Sequence, residues 1–179
     1  MATAPDDTTK FLKVPPHSLE AEASVLGGLL LDDAAWDAIA GIIGPDDFYL
    51  GDHRSIFRCM QSLAEQDKPI DVITVSDALE EVSELQGLGG LSYISQLASN
   101  TPTASNIRAY AEIVQERATV RKLIAAANEI ADSGFNTQGR DSATLINEAE
   151  SKVFKIGDER PNRGGPQSIN PLLKKAVTR

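Results

Sequence analysis

From Ser18 onward, apolar residues return every three or four positions, the spacing that lines one face of an α-helix. Ser18 is a good N-cap, with Glu20 and Glu22 in the first turn where the helix dipole favours negative charge. The helix that follows carries Val25, Leu26, Leu29 and Leu30 inward. Gly27-Gly28 inside it would cost about 1 kcal/mol each against Ala, so their presence predicts a close backbone approach by another helix. Asp32 and Asp33 cap a short second helix bearing Trp36, Ile39 and Ile42, which Gly44-Pro45 ends. A third runs from about Asp52 with Ile56, Phe57, Met60 and Leu63 on one face. Lys68-Pro69 stops it, and Asp71 caps a fourth bearing Val72, Val75 and Leu79. Gly87-Leu88-Gly89-Gly90 breaks the chain before a fifth, whose face is Leu91, Ile94 and Leu97.

The next segment differs in kind. Between Thr103 and Ala131 there is no Gly or Pro, which predicts one helix of about 29 residues and roughly 43 Å. At 100° per residue its apolar positions fall into two stripes. Ile107, Tyr110, Ala111, Val114, Ala118 and Ala125 form the first; Ile113, Val120, Leu123, Ala127, Ile130 and Ala131 form the second. Arg108, Glu112, Gln115, Thr119 and Lys122 are left for a wet face. Gly134 is read as a stop, followed by a helix from Asp141 or Ser142 with Leu145, Ile146, Ala149, Val153 and Ile156 inward. The two helices make an antiparallel hairpin. Two stripes require two neighbours: either both are internal core, or one is covered by a second copy of the chain, which would bury on the order of 800 Å² per partner.

The expected fold is therefore all-α. A mobile tail covers 1–13, a globular head of five short helices 14–102, and the hairpin 103–156. A linker with Gly157, Pro161, Gly164, Gly165 and Pro166 spans 157–168 and could reach roughly 40 Å if extended. Residues 169–179 begin a linker helix whose apolar face is Leu172, Leu173, Ala176 and Val177. That helix lacks a terminator, so the chain is expected to continue past Arg179.

Charge narrows the function classes. The net charge is −9, yet residues 157–179 carry +3 and the rest −12, a body that repels phosphate. DNA contact is therefore expected to be weak or absent. No apolar run approaches the roughly 20 residues of a membrane span, and no signal core opens the chain, so the reading is cytoplasmic. Cys59 has no partner for a disulfide and is expected as a small buried hydrophobe.

Asp46, Asp47, Asp52 and His53 crowd together as a metal site would, but their spacing fits no ligand pattern and each sits where a helix begins. An enzyme using that cluster stays open as a competing reading. Neither the P-loop pattern nor G-x-G-x-x-G occurs, and no Ser or Cys nucleophile has a recognisable setting. No catalytic, cofactor-binding or metal residue is assigned.

Several segments, in order, resemble the amino-terminal region of DnaB-type replicative DNA helicases. They are Leu12 through Ser18 running into Glu20-Ala21-Glu22 and Val25-Leu26-Gly27-Gly28; Asp47-Phe48-Tyr49; His53 through Phe57; Pro69-Ile70-Asp71; Gly89-Gly90-Leu91 through Tyr93; Asn100-Thr101-Pro102; Asn106, Ala109-Tyr110; Asn128 through Ala131; and Ala149 through Phe154. The resemblance implies a hexameric ring in the intact parent, with amino-terminal regions paired through their hairpins into a collar where primase docks. It also implies a linker helix packed on the neighbouring subunit's motor domain, and a motor using ATP and Mg beyond Arg179. A helicase loader or inhibitor protein is a further partner of this kind. On this reading the pairing face draws on Ile107, Tyr110, Ile113, Val114, Val120, Leu123, Ala127 and Ile130, and the linker-helix face on Leu172, Leu173, Ala176 and Val177. The other reading is a stand-alone helicase-binding adaptor such as a primase carboxy-terminal domain.

Overall fold

The structure, a computed structural model, describes residues 13–159, and among them every regular element is helical. Seven α-helices follow in order: α1 Leu19–Leu31, α2 Trp36–Ile39, α3 Gly51–Glu65, α4 Val72–Glu81, α5 Gly90–Ser99, α6 Ile107–Phe135 and α7 Ser142–Asp158. Leu172, Leu173, Ala176 and Val177, with nearly all of the expected tail and linker, lie outside the described residues.

Helix α1 is the centre of the head and packs against α3, α5 and α6. Ser18 is extended and its Oγ accepts from the Ala21 N–H at 3.2 Å, which starts the helix. Val25, Leu26 and Leu29 are fully buried. The glycine pair has the role its sequence suggests. A Cβ on Gly27 would collide with Thr101 Oγ1 and the Leu97 carbonyl, and one on Gly28 would meet Ile107 Cδ1 at 3.0 Å. Bare backbone there lets the end of α5 and the start of α6 press on α1.

Asp71 caps α4 in a capping box: its carboxylate accepts from the Ile73 and Thr74 N–H groups at 2.8 Å each, and Thr74 Oγ1 accepts from the Asp71 N–H at 3.0 Å. Gly89 (φ 93°) and Gly90 (φ 70°) make the left-handed turn into α5. Ile56, Phe57, Met60, Val75, Leu79, Ile94 and Leu97 complete the core with Phe48 and Ile39.

Four details depart from expectation. Helix α2 is a single turn after a 3-10 turn at Asp33–Ala35, because Gly41 and then Gly44-Pro45 deny it a second; Ile42 still packs on the core. Leu91 is exposed rather than inward, lying on the flank of the Ile94–Leu97 stripe in the first turn at the rim of the head. Helix α6 begins at Ile107, since Thr103 Oγ1 accepts from the Ser105 N–H at 3.1 Å and holds a turn before it; at the far end Gly134 stays helical and Asn136 follows the last residue. Helix α7 continues through Gly157 and Asp158, the first two residues of the segment read as linker.

Candidate functional site

The long helix serves two bodies. Its first half, through Ile107, Ala111 and Val114, is part of the head's core, and Tyr110 packs on that core half-buried. The head therefore covers Ile107 and Val114 fully and Tyr110 in part, which leaves little of the expected pairing face on this half. Beyond the head, α6 packs on α7.

Helix α7 lies squarely on neither stripe but packs between them. Ala126, buried, and Ile130 and Ser133, half-buried, face α7, with Lys152 Nζ donating to Glu129 Oε2 at 2.7 Å and Arg140 paired with Glu148. On the helical wheel this is the side that carries Gln115, Thr119 and Lys122 one to three turns earlier. Of the face read as wet, Arg108 and Lys122 are exposed, but the middle is partly covered: Gln115 Nε2 donates to the Ile42 carbonyl at 3.2 Å, and Lys122 Nζ lies 3.8 Å from Asp47 and 3.4 Å from Glu159. Ala126, not Ala125, is the buried alanine. Leu145, Ala149 and Ile156 turn toward α6 half-buried, whereas Ile146 and Val153 are exposed and not inward as expected.

The second stripe remains open. Ile113, Val120, Leu123 (48% exposed), Ile124 and Ala127 fall within about 100° of one another on α6, on a side neither the head nor α7 covers. Phe135, 93% exposed at the tip, extends it, and Ile146, Val153 and Phe154 add apolar surface on α7. Of the expected face, Ile113, Val120, Leu123 and Ala127 are thus exposed, while Ile130 sits half-buried in the groove with α7.

Where α6 leaves the head, Arg121 gathers three segments. Its Nη1 donates to the Pro16 carbonyl at 2.7 Å and its Nη2 to the Asp47 carbonyl at 2.6 Å. The guanidinium also lies over the Tyr49 ring, which stacks on His17 at 4.2 Å. Burial lowers the Arg121 pKa, against the pull of Glu22 and Asp47.

Below this junction lies a polar cluster that periodicity did not reveal. Glu22, buried in α1, accepts from the Tyr49 N–H at 2.6 Å and the Leu50 N–H at 3.4 Å, so it caps α3 across the fold where Leu50 offers no side-chain cap. His53 Nδ1 stands 3.7 Å from Glu22, and its Nε2 is 2.8 Å from the Tyr93 hydroxyl. Burial, then Asp52 and Glu22, raise the Tyr93 phenol above its ordinary value. The acid–histidine group therefore splits: Asp47 Oδ2 accepts from the Gly44 N–H at 2.8 Å as a cap, and His53 turns inward. Among the described residues, no group of three or more His, Cys, Asp or Glu is placed to hold a metal ion.

The arrangement thus offers a helical arm with an uncovered apolar face, anchored in a small head. A family model described as the DnaB-like helicase N-terminal domain matches residues 14–116. The chain belongs to this family. It is 46% identical over 167 residues to the replicative DNA helicase DnaB of Pasteurella multocida, and 49% identical over 168 residues to that of Buchnera aphidicola subsp. Schizaphis graminum. Each alignment covers 93% of this chain and 36% of the relative, so the chain spans about a third of the length of these helicases. The crystal structure of the N-terminal domain of DnaB helicase from Mycobacterium tuberculosis is similar in fold, with a TM-score of 0.76 and 34% identity, covering 79% of this chain and 99% of that one. A DnaB-like replicative helicase whose structure was described with its interactions with primase shares the fold at a TM-score of 0.68 and 22% identity, over 90% of this chain and 35% of that one. These matches to helicases displace the adaptor reading. Among the described residues, no helix is long and apolar enough to cross a membrane.

Proposed function

We propose that this chain is the assembly and docking domain of a replicative DNA helicase, and that its hairpin pairs with the hairpin of a second copy. The open stripe of α6 carries the reading. A row of Ile113, Val120, Leu123, Ile124 and Phe135 in water is unfavourable by about 25 cal/mol per Å² of apolar surface, and a second copy removes it from water on both partners at once. Pairs so formed build the collar of a hexamer, and the heads present a surface to primase, a reading supported by DnaB-like proteins of the same fold that were described with their interactions with primase. A loader or inhibitor protein would meet the same exposed surface. Unwinding, with its ATP and Mg, belongs to the part of the helicase that these 179 residues do not match, and the site of action is the DNA in the cytoplasm.

Sedimentation of the chain over a concentration series tests the pairing. Leu123→Glu places a charge in the middle of the stripe and is expected to weaken association at least about a hundredfold, leaving the head's thermal transition unchanged. A variant that still pairs with wild-type affinity would remove the stripe from the interface. Titration of primase into the paired chain, followed by calorimetry, tests the docking role.

A further inference from the structure

Among the described α-helices, α7 alone has no buried residue. Leu145, Ala149 and Ile156 are only half-buried against α6, and Val153, Ile146 and Phe154 (73%) stand in solvent. The remaining ties to α6 are two ion pairs at the surface, Lys152 to Glu129 and Lys122 to Glu159, with Arg140 of the connecting loop paired to Glu148. Each such pair contributes at most about 1 kcal/mol, and a helix in a protein takes most of its stability from packing an apolar face, which α7 does only in part. Helix α6 does not share this weakness, because its first half is built into the core around Ala111 and Val114.

We infer that α7 opens from α6 independently of the head in the single chain, and that pairing with a second copy closes it, so that formation of the arm and self-association are one coupled step. This rests on the pairing proposed above. Apolar side chains that the single chain leaves in water, Ile146, Val153 and Phe154, become the reason for α7 to stay docked once a partner covers them. A single chain then carries half an arm, and a pair carries two complete ones.

Hydrogen exchange of the 179-residue chain, followed by mass spectrometry at concentrations below and above its pairing constant, tests the inference. In the dilute chain, α7 amides are expected to exchange at least about a hundredfold faster, relative to their intrinsic rates, than those of α1 and α3. At ten times the dissociation constant they slow about fivefold while α1 and α3 are unchanged. Lys152→Ala cuts the tie to Glu129 without touching the open stripe and speeds α7 exchange in the dilute chain about two- to threefold, with α1 unaffected. Equal protection of α7 and α1 in the dilute chain, or a Lys152→Ala effect shared by α1, would overturn the inference. A chain that pairs while α7 exchanges no more slowly overturns it alone; a chain that never pairs removes the pairing proposal and this inference together.

Discussion

Glu22 caps a helix it does not belong to. Its oxygen receives two backbone N–H groups at the start of α3, 27 and 28 residues away, and is buried while doing so. Replacing it by Gln keeps the shape but removes the charge that strengthens both bonds. Glu22→Gln is expected to lower stability by about 1.5–3 kcal/mol, measured as a shift of the denaturant midpoint with an unchanged slope. Cys59 gives a second reading at this scale. It is half-buried rather than buried, with Sγ 3.8 Å from the Val75 carbonyl, and burial followed by the Glu84 charge pushes its thiol up to about 11. The thiolate fraction at pH 8 falls about a hundredfold below that of a free cysteine, so the folded chain should react with a disulfide reagent about that much more slowly. Denaturant should restore the ordinary rate. Neither result could be read from spacing. Glu22 in a first turn looks like a dipole partner, His53 near a helix start looks like a cap, and the link from Glu22 through His53 to Tyr93 joins three helices whose packing alone brings them together.

At the scale of elements, local chemistry was legible. Ser18 and Asp71 cap as their side chains require, and Gly27-Gly28 marks a close helix approach in the head. That last point is testable: Gly27→Ala improves helix propensity yet drives a methyl into Thr101 and the Leu97 carbonyl. It should destabilise by about 1–3 kcal/mol in thermal melts, and a gain in stability would mean that α5 and α1 are less tightly joined than described. Helix faces were read less well. Periodicity gives the width of an apolar stripe but not the identity of its neighbour. On α6 the polar positions Gln115 and Thr119 are half-buried and Lys122 is exposed but ion-paired to Asp47, while the apolar Val120 and Leu123 are exposed. The turn into α7 was misjudged for a related reason: the left-handed glycine there is Gly139 (φ 79°), and Gly134 remains helical.

At the scale of the whole molecule, charge opposes assembly and grease favours it. The chain carries −9, and two copies brought side by side repel through solvent. Salt screens that repulsion within about 10 Å at 0.1 M and leaves apolar burial in place. Pairing is therefore expected to tighten as NaCl rises from about 0.02 to 0.3 M, followed by sedimentation equilibrium; a steady loosening would show that ionic contacts hold the copies together instead.

One uninterrupted helix is keystone at one end and lever at the other. With 29 residues it runs roughly 43 Å, and no proline or bulge divides the part wedged beside Ala111 from the part that reaches outward to Phe135. A push at the tip therefore has no joint in which to dissipate. Torque exerted by whatever grips the arm is delivered to the packing of Ile107 on Gly28 of α1, so that rotating the arm means rotating the head with it.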